Sequence, residues 1–230
     1  TFVGLNSGNF TMTGVTNTAF GVFSLSENTI GSQNAAFGEA SLTHNTTGEN
    51  NSAFGTYSLF NNASGTENSA FGLASMEYNV GGNLNSAFGS FSLHSNSTGN
   101  NNSSFGTRSL FSNTTGNYNS ALGSNSLYNN STGSSNTGIG TFVLYANTNG
   151  SNNTAVGQES MRINNGSFNS AIGGYSLYYN TAGNYNVAIG YYSLNTNSTG
   201  SNNTAIGTYS MRSNINGTQN TALGETSLYS

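Results

Sequence analysis

Aspartate, lysine, proline, cysteine and tryptophan are absent from this 230-residue chain. Each absence narrows the function. Without Asp, the Gly-Gly-x-Gly-x-Asp repeats of calcium-binding β-rolls cannot be written. Without Cys, and with only His44 and His94, no zinc site of ordinary ligand spacing exists. Three Arg among 4% charged residues, at a net charge of −4, cannot neutralise a phosphate backbone, so nucleic acid is not an expected partner. No apolar run approaches the ~20 residues of a membrane span, so no membrane insertion is expected. The seven Glu are scattered. Glu49 and Glu67 come nearest to a carboxylate pair, but two solvated surface charges are the plainer reading. No catalytic constellation emerges, and the chain is expected to be neither an enzyme nor the holder of a metal or cofactor.

What is present is a repeat. Asn51-Ser52-Ala53-Phe54-Gly55 returns along the whole sequence, with leading Asn at 17, 34, 51, 68, 85, 102, 119, 136, 153, 169, 186, 203 and 220. Every step is 17 except one of 16, and residues 1–16 fit the frame without the leading Asn, so the chain begins inside a repeat. A fixed period of this length means a small unit stacked on its own copies, hence one array over residues 1–230. Disorder, which a polar and Gly-rich composition otherwise suggests, is disfavoured because the large apolar residues keep phase.

Counting from the leading Asn, position 5 is Gly throughout (Gly21, Gly38, Gly55), as is position 15 (Gly31, Gly48, Gly65). Such positions need a positive φ or admit close approach of another chain. Position 15 reads as a turn, while position 5 is equally a corner, a bulge or a packing point. Position 4 (Phe20, Phe37, Phe54, later Ile189 and Ile206) and position 9 (Leu25, Leu42, Leu59) supply a candidate core. Two short strands per unit are expected, about positions 2–4 and 7–10. Because Phe gives way to aliphatic residues at position 4 from Leu122 onward, the lumen is expected to narrow there.

Asn recurs at position 1 (Asn17, Asn34, Asn51) and position 12 (Asn28, Asn45, Asn62). If the units are parallel coils, each Asn lies ~4.8 Å above its equivalent and its amide bonds to the next. A hairpin meander offers like residues no such neighbour. The expected fold is therefore all-β, a parallel β-solenoid or β-roll of about fourteen coils, forming a rod of about 65 Å. The 16-residue step should appear as a tightened turn that leaves the stacking in phase. Successive coils should also set His44 over Glu27 and His94 over Glu77.

The core of such a coil is thin. Ala at position 3 and the aromatics at positions 7 and 10, among them Tyr57, Phe91, Phe142, Tyr175, Tyr192 and Tyr209, form a second apolar surface. Three identical rolls sharing one axis would cover it, which makes a homotrimer the expected state. The same aromatics offer an alternative, stacking on a cell-surface glycan or receptor. A third reading takes the Thr rank at position 13 (Thr29, Thr46, Thr114, Thr148, Thr181) as an ice-binding face, although Ala63, Val80 and Ile215 interrupt it.

The pentads Asn186-Val187-Ala188-Ile189-Gly190 and Asn203-Thr204-Ala205-Ile206-Gly207 resemble the head repeats of trimeric autotransporter adhesins and, across the whole chain, the repeats of bacteriophage tail fibres and related viral fibres. That resemblance implies a left-handed, trimeric parallel β-roll. It also implies an extracellular place, on a cell surface or virion, and a structural role as the shaft or head of a fibre or adhesin bearing an attachment element. The adhesin unit is usually shorter, near fourteen residues.

Overall fold

The computed structural model describes residues 1–229. These fall into two compact units, Thr1–Tyr118 and Asn119–Ser230. Both are parallel β-solenoids with about 17 residues per coil, and among the described residues there is no helix. In the first unit, β1 (Phe2–Val3), β2 (Thr18–Phe20), β3 (Ala35–Phe37), β4 (Ser52–Phe54), β5 (Ser69–Phe71), β6 (Ser86–Phe88) and β7 (Ser103–Phe105) stack in parallel. The register sets each residue on its repeat counterpart, as in Ala36↔Ala53 and Phe37↔Phe54.

The second unit contains β8 (Ser120–Leu122), β9 (Thr137–Ile139), β10 (Thr154–Val156), β11 (Ile163–Asn164), β12 (Ser170–Ile172), β13 (Tyr179–Asn180), β14 (Val187–Ile189), β15 (Thr204–Ile206) and β16 (Thr221–Leu223). There β8, β9, β10, β12, β14, β15 and β16 form the parallel ladder, and β11 pairs with β13 beside it. The 16-residue coil stays in phase as expected. Thr154 pairs with Ser170, and Asn180 Nδ2 donates to Asn164 Oδ1 at 2.6 Å.

Each coil has one strand at positions 2–4, and positions 7–10 are not the second strand that apolar patterning predicts. The cause is backbone handedness. Position 7 (Tyr57, φ 57°) and position 9 (Leu59, φ 50°) are left-handed, as is position 17 (Glu67, φ 56°), and this recurs in coil after coil. A left-handed L-residue costs about 1–2 kcal/mol. It is held here because main-chain bonds run from coil to coil through the bent segment: Leu59 N–H donates to Ser75 O at 3.0 Å and Tyr57 N–H to Glu39 O at 3.0 Å. Gln33 is exposed and left-handed, with φ 60°. Gln33→Gly is therefore expected to raise stability by about 1 kcal/mol, measured by urea unfolding; an equal loss would refute the strain.

The lumen is lined by positions 1, 3, 8, 9, 12 and 15. Leu25, Leu42 and Leu59 are fully buried there, as the sequence suggests. Phe20, Phe37, Phe54, Ile189 and Ile206 are not core. Phe20 is 50% exposed, Ile206 is 36% exposed, and Phe37 and Phe54 are half-buried on the outside. Side chains alternate along a strand, so once Ala at position 3 turns inward, positions 2 and 4 must turn out. The lumen accordingly does not narrow after Leu122: Ala, Leu or Met, Ser and Asn line it in both units. One coil trades volume internally. Gly138 stands where Ala is usual and Val143 where Ser is usual, and a Cβ on Gly138 would lie 3.0 Å from Val143 Cγ1.

Both Asn ladders form, and their side chains are buried except at the last members, Asn214 and Asn220, which are partly so. Asn62 Nδ2 donates to Asn45 Oδ1 at 2.8 Å and to Gly65 O at 3.0 Å, while Asn62 Oδ1 accepts from Asn79 at 2.7 Å. Asn51 Nδ2 donates to Asn34 Oδ1 at 3.1 Å and to Gly65 O at 2.8 Å, and Asn34 Oδ1 also accepts the Asn51 backbone N–H at 3.0 Å. Asn28–Asn45 and Asn17–Asn34 repeat the pattern. Each carboxamide thus satisfies itself and a glycine carbonyl of its turn, which lets a polar column run through a dry interior. Among the described residues no fully buried side-chain polar atom lacks a partner.

The two glycine rows serve different ends. Gly21, Gly38 and Gly55 have φ of 131–137° and mark the corner after the strand. Gly31, Gly48 and Gly65 have ordinary φ, and a Cβ there would run into the backbone of the next coil and the Asn ladder.

Candidate functional site

With position 4 outside, the first unit carries a column of phenylalanines on its sheet. Phe37, Phe54, Phe71 and Phe88 stack face to face at 4.7 Å, and the column continues to Phe105 at 5.0 Å and to Phe20 at 6.2 Å. The spacing is that of the strands beneath, so the ladder itself sets the stack. In the second unit the same line is aliphatic, through Leu122, Ile139, Ile172, Ile189, Ile206 and Leu223, all exposed. Neither stripe carries a charge.

The aromatics at position 7 lie beyond the glycine corner and pair with position 10 of their own coil. Tyr57 meets Phe60 at 5.4 Å and Phe142 meets Tyr145 at 5.5 Å, both edge-on, whereas Phe91 lies 5.6 Å from His94. In the second unit Tyr175, Tyr192 and Tyr209 stack in sequence at 4.9 and 5.6 Å. Arg212 lies 5.3 Å over both Tyr192 and Tyr209, and Arg162 lies 5.6 Å over Phe142 and over Tyr145.

Charges pair coil to coil as stacking requires. His44 Nδ1 is 2.7 Å from Glu27 and His94 Nε2 is 3.1 Å from Glu77. Glu49 and Glu67 are joined only through their main chains, Glu67 N–H donating to Glu49 O at 3.0 Å. Among the described residues no group of three His, Cys, Asp or Glu could hold a metal, and no helix is long and apolar enough to cross a membrane. The Thr rank is committed along the stack: Thr29, Thr46 and Thr181 hydroxyls donate to the next coil's carbonyls at 2.8, 2.9 and 3.0 Å. An ice-ordering face needs those hydroxyl hydrogens free for water, and their donation to carbonyls counts against that reading.

The second unit carries a hollow of about 220 Å³, lined by Tyr175, Tyr178, Tyr179, Tyr192 and Asn195. Of these, sequence reasoning singles out Tyr175 and Tyr192 and misses Tyr179 and Asn195. The missed signal is a small residue, Asn195, following the bulky Arg162 and Tyr178 at position 10. Next to the hollow, Arg162 Nη1 donates to Glu159 at 2.8 Å and to the Tyr178 hydroxyl at 3.0 Å, and the Tyr175 hydroxyl donates to Glu159 at 3.4 Å. The Glu159 charge, with burial second, holds the Tyr175 hydroxyl above its ordinary pKa. Burial raises that of Tyr178 against the opposing pull of Arg162. Both remain protonated, neutral hydroxyls at physiological pH.

No family model matches the chain, and no curated protein or solved structure matches it either.

Proposed function

We propose that this chain is a structural, non-enzymatic segment of an extracellular fibre or adhesin, on a virion or cell surface, in which three copies associate to carry an attachment element. The observation that carries the reading is the uncharged apolar stripe at position 4. Monomeric soluble surfaces rarely leave such a line bare. A line of like residues along a regular ladder also suits identical copies arranged around an axis. The coil-to-coil hydrogen bonds and buried Asn columns supply stiffness without a thick core. The likeness of the Asn-x-Ala-Ile-Gly pentad to adhesin and tail-fibre repeats supports the same assignment, as does a surface made mostly of amides and hydroxyls.

Light scattering tests it. A solution mass three times 23.8 kDa is expected. The variant Phe54→Ser/Phe71→Ser should shift the mass toward that of one chain without loss of the β-type circular dichroism. A wild-type mass of one chain would remove the trimer. A trimer indifferent to both substitutions would remove the stripe from the interface. The glycan reading is favoured by a separate observation, the tyrosine hollow.

A further inference from the structure

We infer that the hollow formed by Tyr175, Tyr178, Tyr179, Tyr192 and Asn195 is a binding site for one neutral pyranose ring of a glycan. It is built from the side chains of a single chain and does not depend on how many chains associate.

The site arises from two local departures in the repeat. The first is at position 10. In the second unit this row holds Tyr128, Tyr145, Arg162, Tyr178, Asn195, Arg212 and Tyr229, so one short side chain interrupts a run of long ones. The second is the 16-residue coil. Its missing residue draws Ile163–Asn164 and Tyr179–Asn180 into a two-strand ladder that the other coils lack. Ile163 N–H donates to Tyr178 O and Tyr179 N–H to Asn195 O, each at 2.9 Å. The backbone carrying both tyrosines is thereby held on either side, and a pre-formed wall spares a ligand the ordering cost.

The chemistry of the lining selects the guest. Tyr178 and Tyr179 stand 4.4 Å apart at 70°, so two ring planes meet in a corner; Tyr179 is 46% exposed. Tyr175 and Tyr192 stack at 4.9 Å. Tyrosine combines an apolar body, suited to the C–H face of a sugar, with a hydroxyl that meets sugar hydroxyls. Asn195 is the decisive residue. It is only 6% exposed, and its Nδ2 donates to Tyr175 O at 2.8 Å, yet its Oδ1 accepts no hydrogen bond from the described residues. Because no polar side-chain atom sealed from solvent is left unpartnered, that oxygen is open to solvent, on a residue that lines the hollow. A nine-tenths buried carboxamide with a vacant acceptor calls for a hydroxyl donor.

The lining contains no charged residue. The nearby Glu159 and Arg162 neutralise each other, and Arg212 is engaged with Tyr192, Tyr209 and Tyr229. A charged ligand would find no fixed partner in the hollow. Its size admits one ring, not an oligosaccharide, so recognition is of a terminal or side-branch sugar.

The test is titration of the full chain with methyl glucoside, galactoside, mannoside and N-acetylglucosaminide, with methyl glucuronide as the charged comparison, followed by amide chemical shifts. At least one neutral glycoside should shift amides around 175–179 and 192–195, and no others strongly. Tyr179→Ala should weaken that binding about tenfold, as expected for a lost stacking wall. Asn195→Thr should weaken it similarly while sparing the fold, since Thr43 occupies the equivalent position and donates to Phe23 O at 3.0 Å. Tyr57→Ala, in the first unit, should leave it unchanged. The proposal is overturned if no neutral glycoside shifts those amides at tens of millimolar. It also falls if glucuronide is preferred, or if binding survives both hollow variants. None of these outcomes bears on the mass measurement, so fibre and sugar site stand or fall separately.

Discussion

Asn62→Leu is expected to destabilise the first unit far more than its conservative volume suggests. Asn62 donates to Asn45 Oδ1 at 2.8 Å and accepts from Asn79 Nδ2 at 2.7 Å, and all three side chains are fully buried. Removing the central amide leaves one acceptor below and one donor above without partners, in a lumen water cannot enter. Each orphaned group costs about 1–3 kcal/mol, so a loss of about 2–6 kcal/mol follows. Gly65 O does not add to this sum because Asn51 Nδ2 still donates to it at 2.8 Å. The neighbouring Asn61→Ala forfeits one partly exposed bond, to Glu77 O at 3.1 Å, and should cost under about 1 kcal/mol. Urea unfolding followed by circular dichroism separates the two. Since each coil touches mainly its neighbours, amide exchange in Asn62→Leu should quicken first in the coils of Asn45, Asn62 and Asn79. Equal and small effects at both positions would mean that the ladder is decorative and backbone bonding alone holds the coils.

The ladder was legible in the sequence because it follows from period alone. If like sits over like, a recurring Asn must find its own copy at strand spacing, and the same logic placed His44 over Glu27 and His94 over Glu77. Buried Leu at position 9 followed from hydrophobicity. Position 4 did not, since the rule that large apolar residues point inward competes with strand alternation, and a strand of three residues gives alternation little room to declare itself. A signal was nonetheless present. Position 3 is Ala in most coils, whereas position 4 ranges over Phe, Leu, Ile and Val. A lumen packed against its own copies accepts one volume; an outer row tolerates several. Gly138 and Val143 make the same point, because the coil that loses volume at position 3 regains it at position 8. The left-handed backbone at positions 7 and 9 had no readable sign, because Leu and Tyr disfavour that conformation and adopt it only under the constraint of adjacent coils. The hollow has no plain sign in the sequence for a related reason. It depends on a small residue between large ones in three dimensions, together with a missing residue one coil away.

Gly82→Ala and Gly81→Ala should differ sharply, although the residues are adjacent, chemically identical and both free of positive φ. A methyl at Gly82 would stand 2.5 Å from Asn79 Oδ1 and 2.5 Å from Asn96 Nδ2, and against the carbonyl of Gly99. Those oxygens and nitrogens are fixed by the ladder: Asn96 Nδ2 donates to Asn79 Oδ1 at 2.7 Å and to Gly99 O at 2.9 Å. Relief therefore requires parting two coils or breaking the ladder, and overpacking of this severity costs about 3 kcal/mol or more. At Gly81 the nearest atom to an added methyl is Ser64 Oγ, at 3.3 Å, the free end of a side chain that can turn away. There the substitution removes unfolded-state entropy at little native cost, and stability should hold or rise by up to about 1 kcal/mol. Chemical denaturation of the two variants reads the difference directly. Similar losses at both sites would show that Gly in this row is kept for conformation, and the close approach of coils would then not be what excludes a side chain at position 15.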